Sequence, residues 1–301
     1  MNILVTGGNG LAGSALKELY NNNDVLIKNN KYYFVSRKEY DLLKINEIYE
    51  CFEKYKPDVI VHLAGVLKKG STSDSNTQLE LLLDNSRINL NIFDACEKFN
   101  IKKIITCLSV TLSSTEKDID EISIDNGPEL FLNFHQGYNH SKRLLHCLST
   151  IYKQSNKGDV ILLTPPNIYG YQDVFTSSRL IPALINKCNN NEIINLSKNC
   201  VRQMIYNKDL ARIIMSFINL NNEIFKQNAN KPILIGNKTL LKTSDIIKEI
   251  CIHLKKDYKS IQYNENNNFS RTINMTNLPF DFTYTNLDVS FKEIFNNLRF
   301  T

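Results

Sequence analysis

The chain contains no Cys-x-x-Cys pair, no dense run of basic residues, no internal repeat and no apolar stretch long enough to span a membrane. Each absence removes a class of function. Without paired cysteines a zinc site is not expected, and no metal is predicted. The seven thiols (Cys51, Cys96, Cys107, Cys147, Cys188, Cys200 and Cys251) are odd in number and far apart, as free buried cysteines in a reducing cytosol would be. The net charge of +5 comes from Lys and Arg scattered through Asn-rich sequence, which argues against nucleic acid or an anionic membrane as partner. A mild positive field of that kind suits a phosphorylated small substrate. With no membrane-length segment, and with the first residues entering a strand directly, a cytoplasmic protein is expected. The 42 % hydrophobic and 22 % charged residues are those of a globular protein, and 301 residues can bury a substantial core in one catalytic unit of two lobes.

What is present begins at once. Ile3, Leu4 and Val5 form a short apolar run, as a strand buried in a parallel sheet would. Gly7, Gly10 and Gly13 follow in a Gly-x-x-Gly-x-x-Gly spacing, immediately before Leu11, Ala15, Leu16 and Leu19, which recur at helical intervals. A strand, a glycine turn and a helix start are what a pyrophosphate needs: backbone N–H groups at a helix N-terminus and no Cβ to keep the anion away. A dinucleotide site is predicted here.

The residues from Tyr32 to Ser36 read as a second strand, ending at Arg37 and Lys38. The residue after this strand faces the adenosine ribose, where a carboxylate takes the 2′-hydroxyl and a cation takes a 2′-phosphate. Arg37 therefore favours NADPH over NADH, the alternative being a solvated basic turn. Asp41 and Leu42 are expected to open a helix reaching Tyr55, stopped by Pro57. Asp58 to Gly65 supplies a third strand and a small-residue loop able to approach the cofactor ribose. The expected cofactor set is Gly7, Gly10, Leu11, Gly13, Arg37, Asp41, Leu63, Ala64 and Gly65. His62, inside an apolar strand, reads as a packed core histidine rather than a base. Leu79 to Phe99 is a long helix whose Asn85, Asn89 and Asn91 are capping or surface residues, or else hydrogen-bond partners of active-site loops.

A fourth strand, Lys103 to Leu108, ends at Ser109. Strands and helices alternating in this order specify an α/β fold with a Rossmann-type doubly wound parallel sheet, whose ligands sit beyond the carboxyl ends of the strands. Ser109 is thus aimed at the site. Gly137 opens a helix in which Tyr138 and Lys142, four apart, share a face. A phenol ordinarily ionises near pH 10, too high for proton traffic at neutral pH, and an ammonium one turn away favours the phenolate. With a serine hydroxyl, such a pair can polarise a carbonyl and protonate it while hydride arrives from a cofactor.

These residues resemble the extended short-chain dehydrogenase/reductases, and among them the GDP-L-fucose synthase family. The resemblance runs nearly the length of the chain: Ile3 to Leu11, Val59 to Ala64, Asn85 to Asn91, Cys107 to Ser109, Asp120-Glu121, Asn126-Gly127-Pro128 and Gly137 to Lys142. It continues through Pro165 to Gly170, Leu180 to Leu184, Arg202 to Tyr206 and Asp209 to Ala211. It implies a Ser109, Tyr138 and Lys142 triad, with Tyr138 and Lys142 also touching the cofactor. It further implies substrate contacts from Asn167, Arg202 and Arg271, and a GDP-linked keto sugar as substrate. Arg202 as a pyrophosphate ligand fits bidentate guanidinium chemistry, the alternative being a surface cation beside a strand.

Two departures stand out. The family's epimerisations are attributed to a cysteine two residues after the serine and to a histidine after the Asn-x-Tyr-Gly segment. Here Thr111 and Gln172 occupy those places, substrate-facing but without a proton to shuttle near neutral pH. His135 and His140 lie outside the family's positions. A reductase without epimerase activity is expected, in the making of a deoxy or heptose sugar for a surface polysaccharide. The rivals are a complete 3,5-epimerase/4-reductase, a non-redox epimerase or dehydratase holding NAD, and a silent dinucleotide-binding scaffold.

Residues 1–165 should form the NADP-binding domain, with 201–236 returning to it, and 166–301 a smaller α/β substrate lobe. In that lobe a helix is expected at Ile181–Lys187, short strands at Ile193–Leu196 and Val201–Tyr206, and a helix at Asp209–Phe217. A strand is expected at Pro232–Ile235, placed to join the large sheet, and Thr243-Ser244-Asp245 should cap a helix reaching Leu254. The polar stretch from Asp257 to Phe269 has no assignment. The family's Trp-Gly-x-Gly loop is here Asn195-Leu196-Ser197-Lys198. Resemblance also implies a homodimer through the Leu79–Phe99 helix and the helix bearing Tyr138.

Overall fold

A strand covered on both faces must be apolar at every position, because successive side chains alternate between the two sides of the sheet. The computed structural model, which describes residues 1–66, 75–115, 117–127, 136–173, 179–263 and 270–297, shows this in each central strand. β1 (Asn2–Thr6), β2 (Lys31–Val35), β3 (Val59–His62), β4 (Lys103–Cys107) and β5 (Asp159–Thr164) lie parallel. β6 (Asn167–Tyr169), β7 (Val201–Arg202) and β8 (Met204–Tyr206) come next in the chain; then β9 (Pro232–Leu234) returns to the far edge of the sheet beside β5, and β10 (Leu241–Lys242) follows. The order is β2-β1-β3-β4-β5-β9, so the chain reverses direction across the sheet between β1 and β3. That reversal opens a crevice at the strands' carboxyl ends.

The ten helices seen among the described residues are α1 (Leu11–Asn21), α2 (Ile45–Tyr55), α3 (Ser75–Lys98), α4 (Glu121–Asn126), α5 (Gln136–Gln154), α6 (Leu180–Asn190), α7 (Asn207–Ile218), α8 (Asn222–Asn228), α9 (Thr243–Leu254) and α10 (Leu287–Asn297). Ile3, Val5, Val61, Ile105 and Ile161 face one layer, where they pack with Leu16 and Leu19 of α1 and with Ile213, Ile214 and Phe217 of α7. Leu4, Ile60, Ile104 and Val160 face the other, against Phe52 of α2, Ile92 of α3 and Leu145 of α5. Each such fully buried side chain contributes roughly 1.5–3 kcal/mol before the entropy of ordering it is set against the gain. A third cluster, separate from the sheet, joins Leu184 and Ile185 of α6, Ile247 and Ile250 of α9, and Phe291 and Ile294 of α10.

Several local expectations are corrected. Asp41 and Leu42 do not begin a helix: the Asp41 carboxylate accepts from the Leu43 N–H (3.2 Å), and Glu47 reaches back to the Asp41 N–H (2.6 Å), so a turn precedes α2. Ile193–Leu196 is not a strand but a single bridge, Ile194 to Tyr263. Val201–Tyr206 is two strands, because Gln203 leaves the ladder. Its side chain bonds the Asn237 carbonyl (3.0 Å) and the Ile273 N–H (2.9 Å) instead. This frees β7 to pair antiparallel with β10 and β8 to pair parallel with β6. Thr243 does not cap α9; its hydroxyl and N–H both go to the Cys200 carbonyl. Of the polar stretch after Asp257, Tyr258–Ser260 forms a 3₁₀ turn, and 264–269 lies outside the described residues. The cysteines are not all buried: Cys147 is exposed and Cys107 half-buried.

α5 crosses α3 at Gly137. A Cβ there would sit 1.9 Å from the Gln78 carbonyl oxygen, and the Gly137 N–H donates to Gln78 Oε1 at 2.9 Å. Gly137→Val should therefore push the helices apart and cost about 1–3 kcal/mol. Urea unfolding measures this; an unchanged midpoint would show that the crossing tolerates a side chain.

Candidate active site

Gly7 ends β1 with φ of +72°, a left-handed turn that only glycine adopts readily, and a Cβ on it would lie 2.7 Å from the Ala64 backbone nitrogen after β3. The two loops at the reversal point are thereby held in contact. Gly10 precedes α1 with no side chain to cap it, so the first-turn N–H groups of Leu11, Ala12 and Gly13 lack helical acceptors. Two adjoining hollows meet here. One, of about 250 Å³, is lined by Gly7, Gly10, Ser36, Arg37, Tyr40, Asp41, Leu63, Ala64 and Gly65, among others. The other, of about 320 Å³, runs from Gly7, Gly10, Leu11 and Gly13 past Leu63 and Gly65 to Ser109, Tyr138, Lys142 and Asn167. Arg37 stands exposed at the rim of the first, its Nε 3.6 Å from Asp41 Oδ1.

Ser109 follows β4, and Tyr138 and Lys142 share a face of α5, so strand and helix deliver all three to one hollow. Lys142 Nζ donates to the Cys107 carbonyl (2.8 Å) and lies 5.7 Å from the centre of the Tyr138 ring. Ser109 Oγ is 2.8 Å from Thr111 Oγ1, which in turn bonds Asn139. Cys107 also lines this space, and burial pushes its thiol up to about 11, so it stays protonated near neutral pH.

The helix carrying Tyr138 is tied to the sheet by buried hydrogen bonds. Asn89 of α3 donates through Nδ2 to the Ser141 carbonyl (3.0 Å), which leaves its Oδ1 to accept from His62 Nε2 (3.1 Å). His62 Nδ1 then accepts from the Thr6 hydroxyl (2.8 Å). Burial, more than any charge, pushes His62 down to about 4, so the ring is neutral. His62 is indeed a core residue. Asn85 grips Val66 at both N–H (2.7 Å) and carbonyl (3.2 Å), and Asn91 donates to the Leu42 carbonyl (3.0 Å). Of the two readings of these asparagines, loop holding is the observed one for Asn85 and Asn91.

Asn167 lines the hollow, whereas its described lining does not include Thr111, Gln172, Arg202 or Arg271. The Gln172 amide is used at both ends: Nε2 donates to Glu18 Oε2 and Oε1 accepts from Asn207, each at 2.6 Å. Arg202 is buried on β7, donating to the Val201 carbonyl (3.0 Å) and bridging to Arg271. His135, Pro128 and Val174 lie outside the described residues. Residues that the sequence reading missed include Arg179, which lines the hollow and pairs with the buried Asp173 (3.0 Å). The only signal was its place just before the Leu180-Ile181-Pro182 run. Asn139 was likewise passed over inside the Tyr138–Lys142 segment.

Because His62 is buried neutral, the unfolded chain binds more protons than the folded one between its unfolded value near 6.5 and its folded value of about 4. Its contribution is complete above pH 6.5 and is lost as the pH falls, by about 2 kcal/mol between pH 7.5 and pH 5. His62→Gln lacks that ionisation, so its stability should fall less over the same range. Urea midpoints of both proteins at the two pH values test this; parallel losses would contradict it.

Among the described residues no group of His, Cys, Asp and Glu could hold a metal, and no helix is long and apolar enough to cross a membrane. Residues 3–230 match the NAD dependent epimerase/dehydratase family. The chain is 32 % identical to a GDP-L-fucose synthase of Dictyostelium discoideum over 227 residues, 72 % of this chain and 69 % of that one. A GDP-L-fucose synthetase of Naegleria fowleri bound to NADP has the same fold, with a TM-score of 0.83 and 24 % identity over 98 % of this chain and 91 % of that one. So has a GDP-mannoheptose C4 reductase from Campylobacter jejuni with NADP bound, with a TM-score of 0.79 and 18 % identity over 98 % and 97 %. With a glycine turn, a strand-end serine and a Tyr-x-x-x-Lys helix meeting at the sheet's reversal point, the chain belongs to the NAD dependent epimerase/dehydratase family, as a GDP-L-fucose synthase-like extended short-chain dehydrogenase/reductase.

Proposed function

We propose that this chain is an NADPH-dependent ketoreductase that reduces the C4 carbonyl of a GDP-linked 4-keto sugar, 6-deoxy or heptose, without epimerising its neighbours. The observation that carries this reading is the convergence of Ser109, Tyr138 and Lys142 on a hollow continuous with the glycine turn. The uncapped first turn of α1 and the hollow beyond Gly65 fit a dinucleotide's pyrophosphate and adenosine, and relatives of the same fold have NADP bound. When bound, the cofactor supplies the hydride. Tyr138 gives the proton to the C4 oxygen, Ser109 polarises that oxygen by donating to it, and Lys142 favours the phenolate left on Tyr138. Asn167 and Arg179 sit where the sugar and diphosphate would enter. The cofactor body in this reading is 1–165 with 201–236, and the rest is the substrate lobe. It forms a cytoplasmic homodimer, for which Leu79, Leu83 and Leu90, exposed on one side of α3, and Ile151, exposed on α5, supply an apolar face.

Absence of epimerisation follows from the two substituted positions. Inverting a carbon beside a ketone takes one group to remove a proton and another to return it from the opposite face. The Thr111 hydroxyl and the Gln172 amide do neither near neutral pH, and Gln172 is already hydrogen-bonded at both ends, to Glu18 and Asn207. With GDP-4-keto-6-deoxy-mannose in deuterium oxide and no NADPH, deuterium should enter C3 and C5 no faster than in an enzyme-free control. Faster entry would make the chain a complete epimerase/reductase.

Cofactor choice rests on Arg37 at the rim of the adenosine hollow. A charge-assisted contact with a 2′-phosphate stabilises binding by about 1.5–3 kcal/mol, so Arg37→Ala should weaken NADPH roughly 10- to 150-fold. NADH binding should barely change. Titration of cofactor fluorescence measures both, and equal losses would reject the assignment.

A further inference from the structure

Behind Ser109 runs a short file of hydrogen bonds of which the reaction described above uses only the first member. Ser109 Oγ is 2.8 Å from Thr111 Oγ1 and also accepts from the Thr111 N–H at 3.2 Å. Thr111 Oγ1 lies 2.7 Å from Asn139 Oδ1, while Asn139 Nδ2 is buried without a partner. Asn139 itself is only 5 % exposed, in the first turn of α5 next to Tyr138.

A hydroxyl has one proton, so the direction of the file is set at its buried end. With the amide oxygen toward Thr111, the Thr111 proton goes to Asn139. The Ser109 proton must then turn back to Thr111, away from any substrate, and an NH₂ group is stranded in the interior. Nitrogen and oxygen of an amide have nearly the same outline. With the amide turned over, Nδ2 donates to Thr111, Thr111 donates to Ser109, and the Ser109 proton is left to point into the hollow. One amide N–H is then paired, and the atom left with no hydrogen bond at all is a carbonyl oxygen, which a protein interior tolerates better than an NH₂ with neither hydrogen used.

We propose that Asn139 is a positioning residue: acting through Thr111, its amide fixes the Ser109 hydroxyl as a donor toward the C4 oxygen of the substrate. The proposal rests on the ketoreductase reading. It gives the threonine that stands at the family's epimerase-cysteine position a part in reduction instead, as the link that holds the serine proton outward.

The test is steady-state kinetics of the full chain with GDP-4-keto-6-deoxy-mannose and NADPH, for Thr111→Val, Thr111→Ser, Asn139→Leu and the double variant Thr111→Val/Asn139→Leu. NADPH affinity in each variant reports that the fold is intact. Thr111→Val should lower kcat by about 10- to 100-fold with little change in KM, as loss of an oriented donor to a developing oxyanion does. Thr111→Ser, which keeps the hydroxyl, should stay near the unaltered rate. Asn139→Leu should also lower kcat, and the double variant should be no slower than Thr111→Val alone, because Asn139 acts only through Thr111. If Thr111→Val no longer binds NADPH, the kcat of Asn139→Leu decides the matter. An unaltered kcat in Thr111→Val or Asn139→Leu, a Thr111→Ser as slow as Thr111→Val, or losses that multiply in the double variant would overturn the proposal alone. No NADPH oxidation by the unaltered chain would overturn the ketoreductase reading, and the proposal with it.

Discussion

The fold and the site depend on how α5 is seated. A tyrosine and a lysine one turn apart do chemistry only if their helix is held at fixed height over the glycine turn, and here that height is set at the crossing of α3 and α5. Gly137 lets the two backbones touch, and Asn89 bonds at one end to the Ser141 carbonyl and at the other to His62. Through His62 and Thr6 the same chain of bonds reaches β1, the strand that leads into Gly7. The glycine turn and the Tyr138 helix are therefore linked through one chain of buried hydrogen bonds. Buried polar chains of this kind are costly when broken and specific when complete. This one spends its specificity on the relative placement of two ends of a site.

The two positions that depart from the family's pattern, Thr111 and Gln172, are both built into the frame of the protein. The Gln172 amide is hydrogen-bonded at both ends. It joins Glu18 of α1 to Asn207 of α7, beside Tyr171, which donates to the same Glu18 carboxylate at 2.6 Å, and Lys208, which pairs with Glu18 and Glu293. The position has become part of the joint between the sheet's outer helices and the C-terminal helix. Thr111 has similarly turned inward, toward Asn139.

Most of the parallel sheet and the cofactor end of the site could be read from the sequence, because both announce themselves locally. An apolar triplet before three spaced glycines, and a tyrosine four residues before a lysine, need no knowledge of distant contacts. The place of Ser109 at the hollow was legible through topology, since a residue ending a parallel strand lies at the sheet's carboxyl edge. What could not be read depends on partners far away in the chain. β5 has an apolar run, Val160 to Leu163, but its place in the sheet comes from pairing with β4, and β9 is three residues long and made a strand by its neighbour. The break at Gln203 exists because its side chain finds Asn237 and Ile273. The turn before α2 arose from Asp41 and Glu47 bonding backbone that an uninterrupted helix would have used. The chemistry of Arg202 suits a diphosphate, and the fold places it buried beside β10 and bridged to Arg271. Charge type was visible in the sequence; burial was not.

Whether the hollow before Tyr138 is a place of hydride transfer is tested most directly by following the hydride. With NADPH carrying deuterium at the transferred position and GDP-4-keto-6-deoxy-mannose as substrate, NMR of the product should show deuterium at sugar C4, one equivalent for each cofactor oxidised. A substrate consumed without deuterium at C4, or rearranged while NADPH stays reduced, would contradict a ketoreductase at this site.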